Sequence, residues 1–350
     1  MRSVAIVVIN FNGLADLPGC LEAVEAQTFP GIDLVIIDNH STDGSREWLR
    51  GWVGEAGTRG RFAARPPALI ENAHNAGFRP ALNQGIRATT SDLVMPLNTD
   101  VVLREDFVEV LAACFGDQGV GSASGKLLRF PVGGVSNEID SVGHVIFRNR
   151  LAWNLGEGLP GDREFLEKAE VWGTCGAAAV YSREMLEDVA VEGEFFDEDF
   201  FAFWEDLDLD WRARMRGWRC VMDPAALAWH RRGGAGYRKS LLVERHNLKN
   251  RHLMMLKNDQ ARFVLRNLPG MLTVEVLKAA ALLVRCPRAL GAYLDVVRLA
   301  PSMLVKRRSI QSRRLVPAGE LESWFAPFHY KKWFRRHLLN RGGMIEGAEG

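Results

Sequence analysis

Three short polar stretches place carboxylates directly after apolar or aromatic runs. They are Asp38-Asn39-His40-Ser41-Thr42-Asp43, Asn98-Thr99-Asp100 and Glu205-Asp206-Leu207-Asp208. A carboxylate is costly to bury and is kept beside a core when it has a task. Together the three stretches supply what an enzyme needs to hold a nucleotide, a divalent metal and a nucleophilic hydroxyl.

Asn10 ends the first apolar run and Asp38 the second. In an open parallel sheet, ligands bind beyond the carboxyl ends of the strands, so both residues are expected to face one crevice. There Asp38 can accept from a ring N–H or a ribose hydroxyl; its alternative task is to cap the helix behind it. The segment Asn75-Ala76-Gly77-Phe78 through Asn83-Gln84-Gly85 offers backbone N–H groups before and within a helix. Asn98 and Asp100, at i and i+2 on an extended chain, point the same way. Their hard oxygens suit Mg²⁺ or Mn²⁺, with diphosphate oxygens completing the shell. Capping of the following helix is the competing reading of Asp100.

Asp206 follows Phe200-Phe201-Ala202-Phe203-Trp204, a setting in which a carboxylate becomes a general base. It would take the proton of an attacking hydroxyl, with Glu205 orienting that acceptor and Asp208 pairing with Arg212 one turn on. One base without a second acid fits an inverting displacement. His230 precedes the basic, glycine-containing stretch Arg231-Arg232-Gly233-Gly234. It is a candidate metal or diphosphate ligand, with Arg231 or Arg232 on a phosphate. His40, His74 and His144 are expected as loop or surface residues.

The elements that must position these groups are alternating strands and helices. Residues 3–10 and 34–37 read as strands around a helical pattern over 14–27, a right-handed βαβ unit. Helices are expected over 45–52, 81–89, 106–115, 183–188 and 206–216, and strands over 93–97, 119–125, 172–181, 220–222 and 226–229. The fold class is α/β with a Rossmann-like mixed sheet. The expected division is a catalytic domain over 1–238 (nucleotide half 1–125, acceptor half 126–238) and a helical basic region over 239–345. That region alternates apolar helical faces with Lys306-Arg307-Arg308, Arg313-Arg314, Lys331-Lys332 and Arg335-Arg336. It reads either as an interfacial helix on an anionic membrane or as a tail packed on the catalytic domain or a second subunit, a homodimer. Glu275 and Lys278 argue against a transmembrane span there.

Composition narrows the classes. Apolar residues are 47% and charged residues 25% of 350, as in an ordered globular protein. Five scattered cysteines form no C-x-x-C pair, which suits a reducing, cytoplasmic compartment and excludes a disulfide framework. The short apolar run at the N-terminus reads as a buried strand, not a signal peptide. The net charge of +1 hides a split: residues 1–230 carry 20 Lys and Arg against 35 Asp and Glu, residues 231–350 carry 24 against 8. An acidic front half is a poor surface for nucleic acid. No G-x-G-x-x-G follows the first strand and no G-x-x-x-x-G-K-[ST] occurs, which disfavours a dinucleotide oxidoreductase and a P-loop enzyme. A nucleotidyltransferase would carry a basic glycine-rich loop where 10–19 has no Lys or Arg.

In this order the motifs resemble those of the family 2 glycosyltransferases with the GT-A fold, over about residues 3 to 260. The resemblance implies a nucleotide-diphospho-sugar donor, a divalent metal and inversion at the anomeric carbon. Asp38 to Ser45 resembles the uridine- or thymidine-binding stretch, which adds Asn39 and Ser41, with Asn10 and Asn12 beside it, to the donor residues. Asn75, Gly77 and Asn83 resemble the N-x-G-F and N-x-G segment of a rhamnosyltransferase-like branch. Asn98-Thr99-Asp100 takes the place of the metal-binding D-x-D, leaving Asp100 and His230 as metal ligands. The region from Phe196 to Leu209 resembles the acceptor and base region, with the base on Asp206. His230 matches a histidine followed by x-x-G-x-S, although Ala235 replaces the serine; residues 245–259 resemble a basic R/H-N-x-x-x-x-x-K-N stretch. The implied donor is dTDP-L-rhamnose, with UDP-galactose-type sugars open, and the implied acceptor a lipid-linked or growing bacterial glycan. An inert, membrane-associated copy would be expected to lack Asp100 or Asp206, and both are present.

Overall fold

Uninterrupted β-branched runs build the centre of the molecule. The computed structural model describes residues 2–58, 60–130, 137–232 and 240–328. Strands β1 (Val4–Asn10) and β2 (Ile32–Asp38) flank helix α1 (Leu17–Glu25), and α2 (Ser45–Ala56) leads to β3 (Ala68–Glu71). Helix α3 (Phe78–Arg87), β4 (Leu93–Asn98), β5 (Val101–Leu103), α4 (Phe107–Ala113) and the long β6 (Val120–Arg129) follow. β1 alternates between two cores, as a strand buried on both faces must. Val4, Ile6 and Val8 meet Leu17 and Leu21 on one side, while Val7 and Ile9 meet Ala81, Leu82 and Ile86 on the other. β3, absent from the sequence reading, is short and half-buried at the sheet edge.

The second half closes the sheet. Its elements are β7 (Ile139–Ser141), β8 (His144–Ile146), β9 (Ala152–Asn154), β10 (Ala169–Val171), β11 (Ala179–Ser182), α5 (Arg183–Val189), α6 (Glu205–Met215) and β12 (Arg219–His230). The principal order is β10-β12-β6-β11-β4-β1-β2-β3, with β5 on β12, β7 on β6, and β8-β9 a separate pair. β1 to β4 run parallel, whereas β11 is antiparallel to both β4 and β6. The sheet is therefore mixed, as expected. Three expected strands differ. Of the run 172–181 only the end, from Ala179, is strand, because carboxylates of α6 draw the backbone N–H groups of Thr174 and Gly176 out of sheet pairing. The expected pair 220–222 and 226–229 is one strand, with a register shift between Met222 and Leu227.

The helical region follows as α7 (Leu241–Asn258), α8 (Ala261–Arg285), α9 (Ala292–Ser312) and α10 (Ala318–Ser323). It shares a core with the preceding α/β part: Phe200, Leu207, Trp211 and Met215 pack with Leu253, Met254, Met303 and Phe325. Of the expected basic clusters, Lys306 turns inward onto acids of the front half, and Arg313 pairs with Asp188 of that half at the surface. Lys331-Lys332, Arg335-Arg336, Gly233-Gly234, Ala235 and the expected boundary at 238 lie outside the described residues.

Candidate active site

Parallel register brings three strand ends together: Asn10 lies beside Asp38, and Ile9 beside Asn98. Asn10 is fully buried, and its two amide N–H groups have three acceptors within reach, Asp38 Oδ1 at 3.0 Å, Ser41 Oγ at 2.9 Å and Ser45 Oγ at 2.8 Å. Asp38 also accepts from the Ser41 N–H at 3.1 Å and from Arg46 Nε at 3.0 Å. Burial opposes its charge, but these bonds win and hold its pKa below the ordinary value. Expected to meet a base or ribose, Asp38 here has a different first task, holding the loop after β2. Asn12 is exposed; its side-chain oxygen takes the Thr42 N–H at 2.8 Å, and its own N–H donates to Ser41 at 3.0 Å. Asn39 ties this corner to the next loop by donating to Asn75 Oδ1 at 2.9 Å and Gly77 O at 3.1 Å. Gly77 sits at φ +95° with the Phe201 ring against it, so a Cβ there would meet both a strained backbone and a ring atom at 2.5 Å.

The second corner is built by strand pairing. In the antiparallel pair β12–β5, His230 lies opposite Val101, which sets it beside the Asn98–Asp100 turn. His230 Nε2 is 3.4 Å from Asp100 Oδ1, and its Nδ1 is 2.8 Å from Asp140 Oδ2. Asp140 is fully buried on β7 and also pairs with Arg232. Burial works against the imidazolium, yet the hydrogen bonds and charges of Asp100 and Asp140 raise its pKa to about 9. A carboxylate behind Nδ1 orients the ring and frees Nε2 for a metal, the arrangement that metal-binding histidines adopt. Carboxylate oxygen plus imidazole is a donor set that fits Mn²⁺ or Mg²⁺ with ligand and water oxygens. Two protein ligands are what the corner offers; the described residues contain no cluster of three or more His, Cys, Asp or Glu for a metal. Arg231 and Arg232, expected on a phosphate, are engaged instead with Asp16 at 2.9 Å and with Asp140 and Glu157.

The third corner carries the expected base. Asp206, near the start of α6, is 15% exposed at its side chain. Its Oδ1 accepts from the Leu207 N–H at 2.8 Å and its Oδ2 from the Gly176 N–H at 3.1 Å. His144 Nε2 stands 3.6 Å from Oδ2, and burial lowers the pKa of that ring. A neutral imidazole at that separation packs against the carboxylate without hydrogen bonding to it. The chain reaches Asp206 through Phe203 (φ +69°) and Trp204 (φ +70°), two bulky residues in the left-handed region. Asn250 holds them, its buried amide donating to the carbonyls of Phe200 at 2.9 Å, Ala202 at 2.6 Å and Phe203 at 2.8 Å.

Two expected site residues face elsewhere. Glu205, expected to orient the acceptor, turns inward onto the Arg79 guanidinium, and both are buried. Burial, reinforced by Asp206, raises the Glu205 pKa to about 7 against the opposing pull of Arg79. Asn83, expected at the nucleotide, is fully buried and exchanges bonds with the main chain of Phe196 at 2.7 and 3.0 Å and with Glu198 at 2.9 Å. It fastens α3 to the loop before α6. Asp140, His144 and the bracing side chains of α7 join the site with no motif of their own. His144, expected as a loop or surface residue, is buried beside Asp206 on strand β8. The signal available for α7 was its run of Asn and Lys at helical spacing: Asn247 accepts from the Trp204 indole at 2.9 Å, and Asn258 donates to Asp208 at 2.7 Å. Asp208 pairs with Arg212 at 3.1 Å, as expected.

Comparisons with known proteins agree with this architecture. A mannosyltransferase from Pyrobaculum calidifontis, in complex with GDP-Man and Mn²⁺, superposes with a TM-score of 0.53 at 17% identity, covering 89% of this chain and 86% of that one. GalNAc-T7 with UDP, GalNAc and Mn²⁺ gives a TM-score of 0.64 at 12% identity, covering 96% of this chain and 58% of that one. These likenesses show the GT-A fold. An N-acetylglucosaminyltransferase of Bradyrhizobium diazoefficiens is 29% identical over 226 residues, which are 63% of this chain and 42% of the relative. One of Bradyrhizobium elkanii is 30% identical over 132 residues, 37% of this chain and 68% of the relative. The chain thus spans under half the length of the first of these relatives. The model of the family described as glycosyl transferase family 2 matches residues 5–190, and the chain belongs to that family.

Proposed function

We propose that the protein is an inverting glycosyltransferase that moves a sugar from a nucleotide-diphospho-sugar to a hydroxyl of a lipid-linked or growing bacterial glycan. The observation that carries the reading is the run of contacts from Asp100 to His230 to Asp140 beside the ends of β1, β2 and β4. Asp100 and His230 would hold Mg²⁺ or Mn²⁺, which when bound offsets charge on the departing diphosphate. Asn10, Asn12, Asp38, Asn39 and Ser41 shape the nucleotide loop, with Asn75 and Gly77 closing its far side and Asn98 at the strand end. Asp206 removes the acceptor proton as the hydroxyl attacks, and the Gly176 N–H fixes the carboxylate for that step. An acceptor on a lipid carrier sets the enzyme at the cytoplasmic face of a membrane as a peripheral protein.

The motif resemblance favours dTDP-L-rhamnose as donor. A second reading, UDP-N-acetylglucosamine, is favoured by the names of the sequence relatives. Calorimetry of the purified chain against dTDP-rhamnose, UDP-N-acetylglucosamine and UDP-galactose, with and without Mn²⁺, separates them. Binding of one donor that requires Mn²⁺ and disappears in Asp100→Ala supports the reading. Absence of binding to every donor in both conditions would overturn it in favour of an inert partner in glycan assembly.

A further inference from the structure

Helices α8 and α9 turn apolar side chains to solvent. On α8, Leu265, Leu272, Val276 and Leu283 are 69%, 54%, 67% and 63% exposed. Steps of seven, four and seven residues set all four on one line along the helix. On α9, Leu294, Val297, Leu304 and Val305 are exposed, with Arg298 and Arg308 exposed among them. By length and composition α8 is capable of crossing a membrane. Its other face is committed, however: Phe263, Met271, Val274 and Leu282 are buried. Midway along, Glu275 takes Arg251 at 2.7 Å and His252 at 3.3 Å, and bonds to Tyr293. Such a helix lies along a surface with its outer line free; it does not cross.

Charge identifies the surface. Between residues 261 and 312 the acids are Glu275 and Asp295, and both are taken by cations of α7, Asp295 by Arg245 at 2.6 Å. Arg262, Arg285, Arg288, Arg298 and Arg308 face solvent, so the exposed charge of the two helices has one sign. In a two-fold self-contact the same patch meets itself, bringing arginine against arginine. A bilayer with anionic headgroups meets the same patch with opposite charge and an apolar boundary. We propose that the outer face of α8 and α9 docks in plane on an anionic lipid bilayer, the Leu and Val side chains at the acyl boundary and the arginines on lipid phosphates. This rests on the peripheral, lipid-linked reading above and names the surface that performs it.

Co-sedimentation of the full chain with vesicles tests it, using phosphatidylcholine alone and phosphatidylcholine with an equal part of phosphatidylglycerol. The chain is expected to bind the mixed vesicles, to release as salt rises, and to ignore the neutral ones. Leu272→Glu with Val276→Glu is expected to lower partitioning about tenfold or more. Arg298→Ala with Arg308→Ala, which leaves the apolar line intact, lowers it less and flattens the salt dependence. Equal binding to neutral vesicles, or no binding to either, overturns the proposal. So does a lipid-free dimer in light scattering that L272E/V276E converts to monomer, which assigns the face to a second copy. Donor binding, measured on the same samples without lipid, separates the two readings. Donor bound without vesicle binding removes the docking alone; vesicle binding without donor removes the transferase reading alone.

Discussion

At the residue scale, chemistry is concentrated in a few side chains whose neighbours are already arranged. Asp206 has one oxygen fixed by the Gly176 N–H and the other by the Leu207 N–H, so its orientation precedes any substrate. Asp206→Asn keeps the shape and removes the proposed proton acceptor. The expected result is a fall in kcat of about a hundredfold to ten-thousandfold with donor affinity unchanged. A comparable loss of donor binding would make Asp206 a donor residue instead of the base. His230 gives a prediction of different sign. Its pKa is raised from 6.5 to about 9, so the metal-free ring is protonated at neutral pH. Its contribution to stability is therefore full below about 6.5 and lost as pH rises through about 9. A metal on Nε2 must displace that proton, so Mn²⁺ affinity should rise close to tenfold from about pH 7 to about pH 8 and level off above about 9. Calorimetric titrations at several pH values check this, and a flat profile would exclude the ring as a ligand.

At the element scale, α7 is the part of the site least expected from its composition. It lies behind the loop 197–208 and fastens it with a ladder of amides and amines. Lys249 bonds the Asp199 carbonyl at 2.6 Å, and Asn250 gathers three carbonyls that the turn through Phe203 and Trp204 leaves without sheet or helix partners. Asn250→Ala takes the side-chain donor from the carbonyls of Ala202 and Phe203, at a cost of about 1–3 kcal/mol for each that finds no water, while the Phe200 carbonyl keeps the Ala202 N–H. Urea unfolding should show the loss, and kcat should fall with it, because the left-handed turn that aims Asp206 relaxes. Full kcat in a destabilised variant would confine Asn250 to folding. This ladder also explains what was legible in the sequence. Strand ends were readable because Asn10, Asp38 and Asn98 end apolar runs, and local pattern carries that signal. Asp140 and His144 were not, because their meaning depends on β7 and β8 reaching residues some 60–90 positions away through an irregular stretch. Glu205 and Asn83 were misassigned for a related reason: a motif gives position along the chain, whereas the inward turn onto Arg79 and Phe196 is set by packing.

At the scale of the whole molecule, part of the charge split between halves is neutralised inside the fold. Lys306 of α9, only 4% exposed, contacts Asp197 at 2.7 Å and Asp199 at 2.9 Å, and Lys257 of α7 contacts Asp197 and, at 2.9 Å, Asp208. Burial would push the Asp197 pKa up, but the two ammonium groups override it and hold the carboxyl well below its ordinary range. Buried acids of this kind are tolerated only while their partners stay, and removing one partner of such a pair costs about 3–5 kcal/mol. The apolar contacts run the same way, since Phe200, Leu207 and Trp211 share a core with Leu253, Met303 and Phe325. A division at residue 238 that looks natural from composition would therefore cut through one folding unit. Residues 1–238 expressed alone should fail to give a cooperative thermal transition, although they contain all of the family match over 5–190. Lys257→Met with Lys306→Met in the full chain, which leaves the helices in place and strands Asp197, should be less stable than the parent near neutral pH. Its deficit should shrink as pH falls below about 4, where the carboxyl is protonated in the unfolded chain and in the variant alike. A 1–238 fragment that melts cooperatively and binds donor like the full chain would instead make the helical region a separate module.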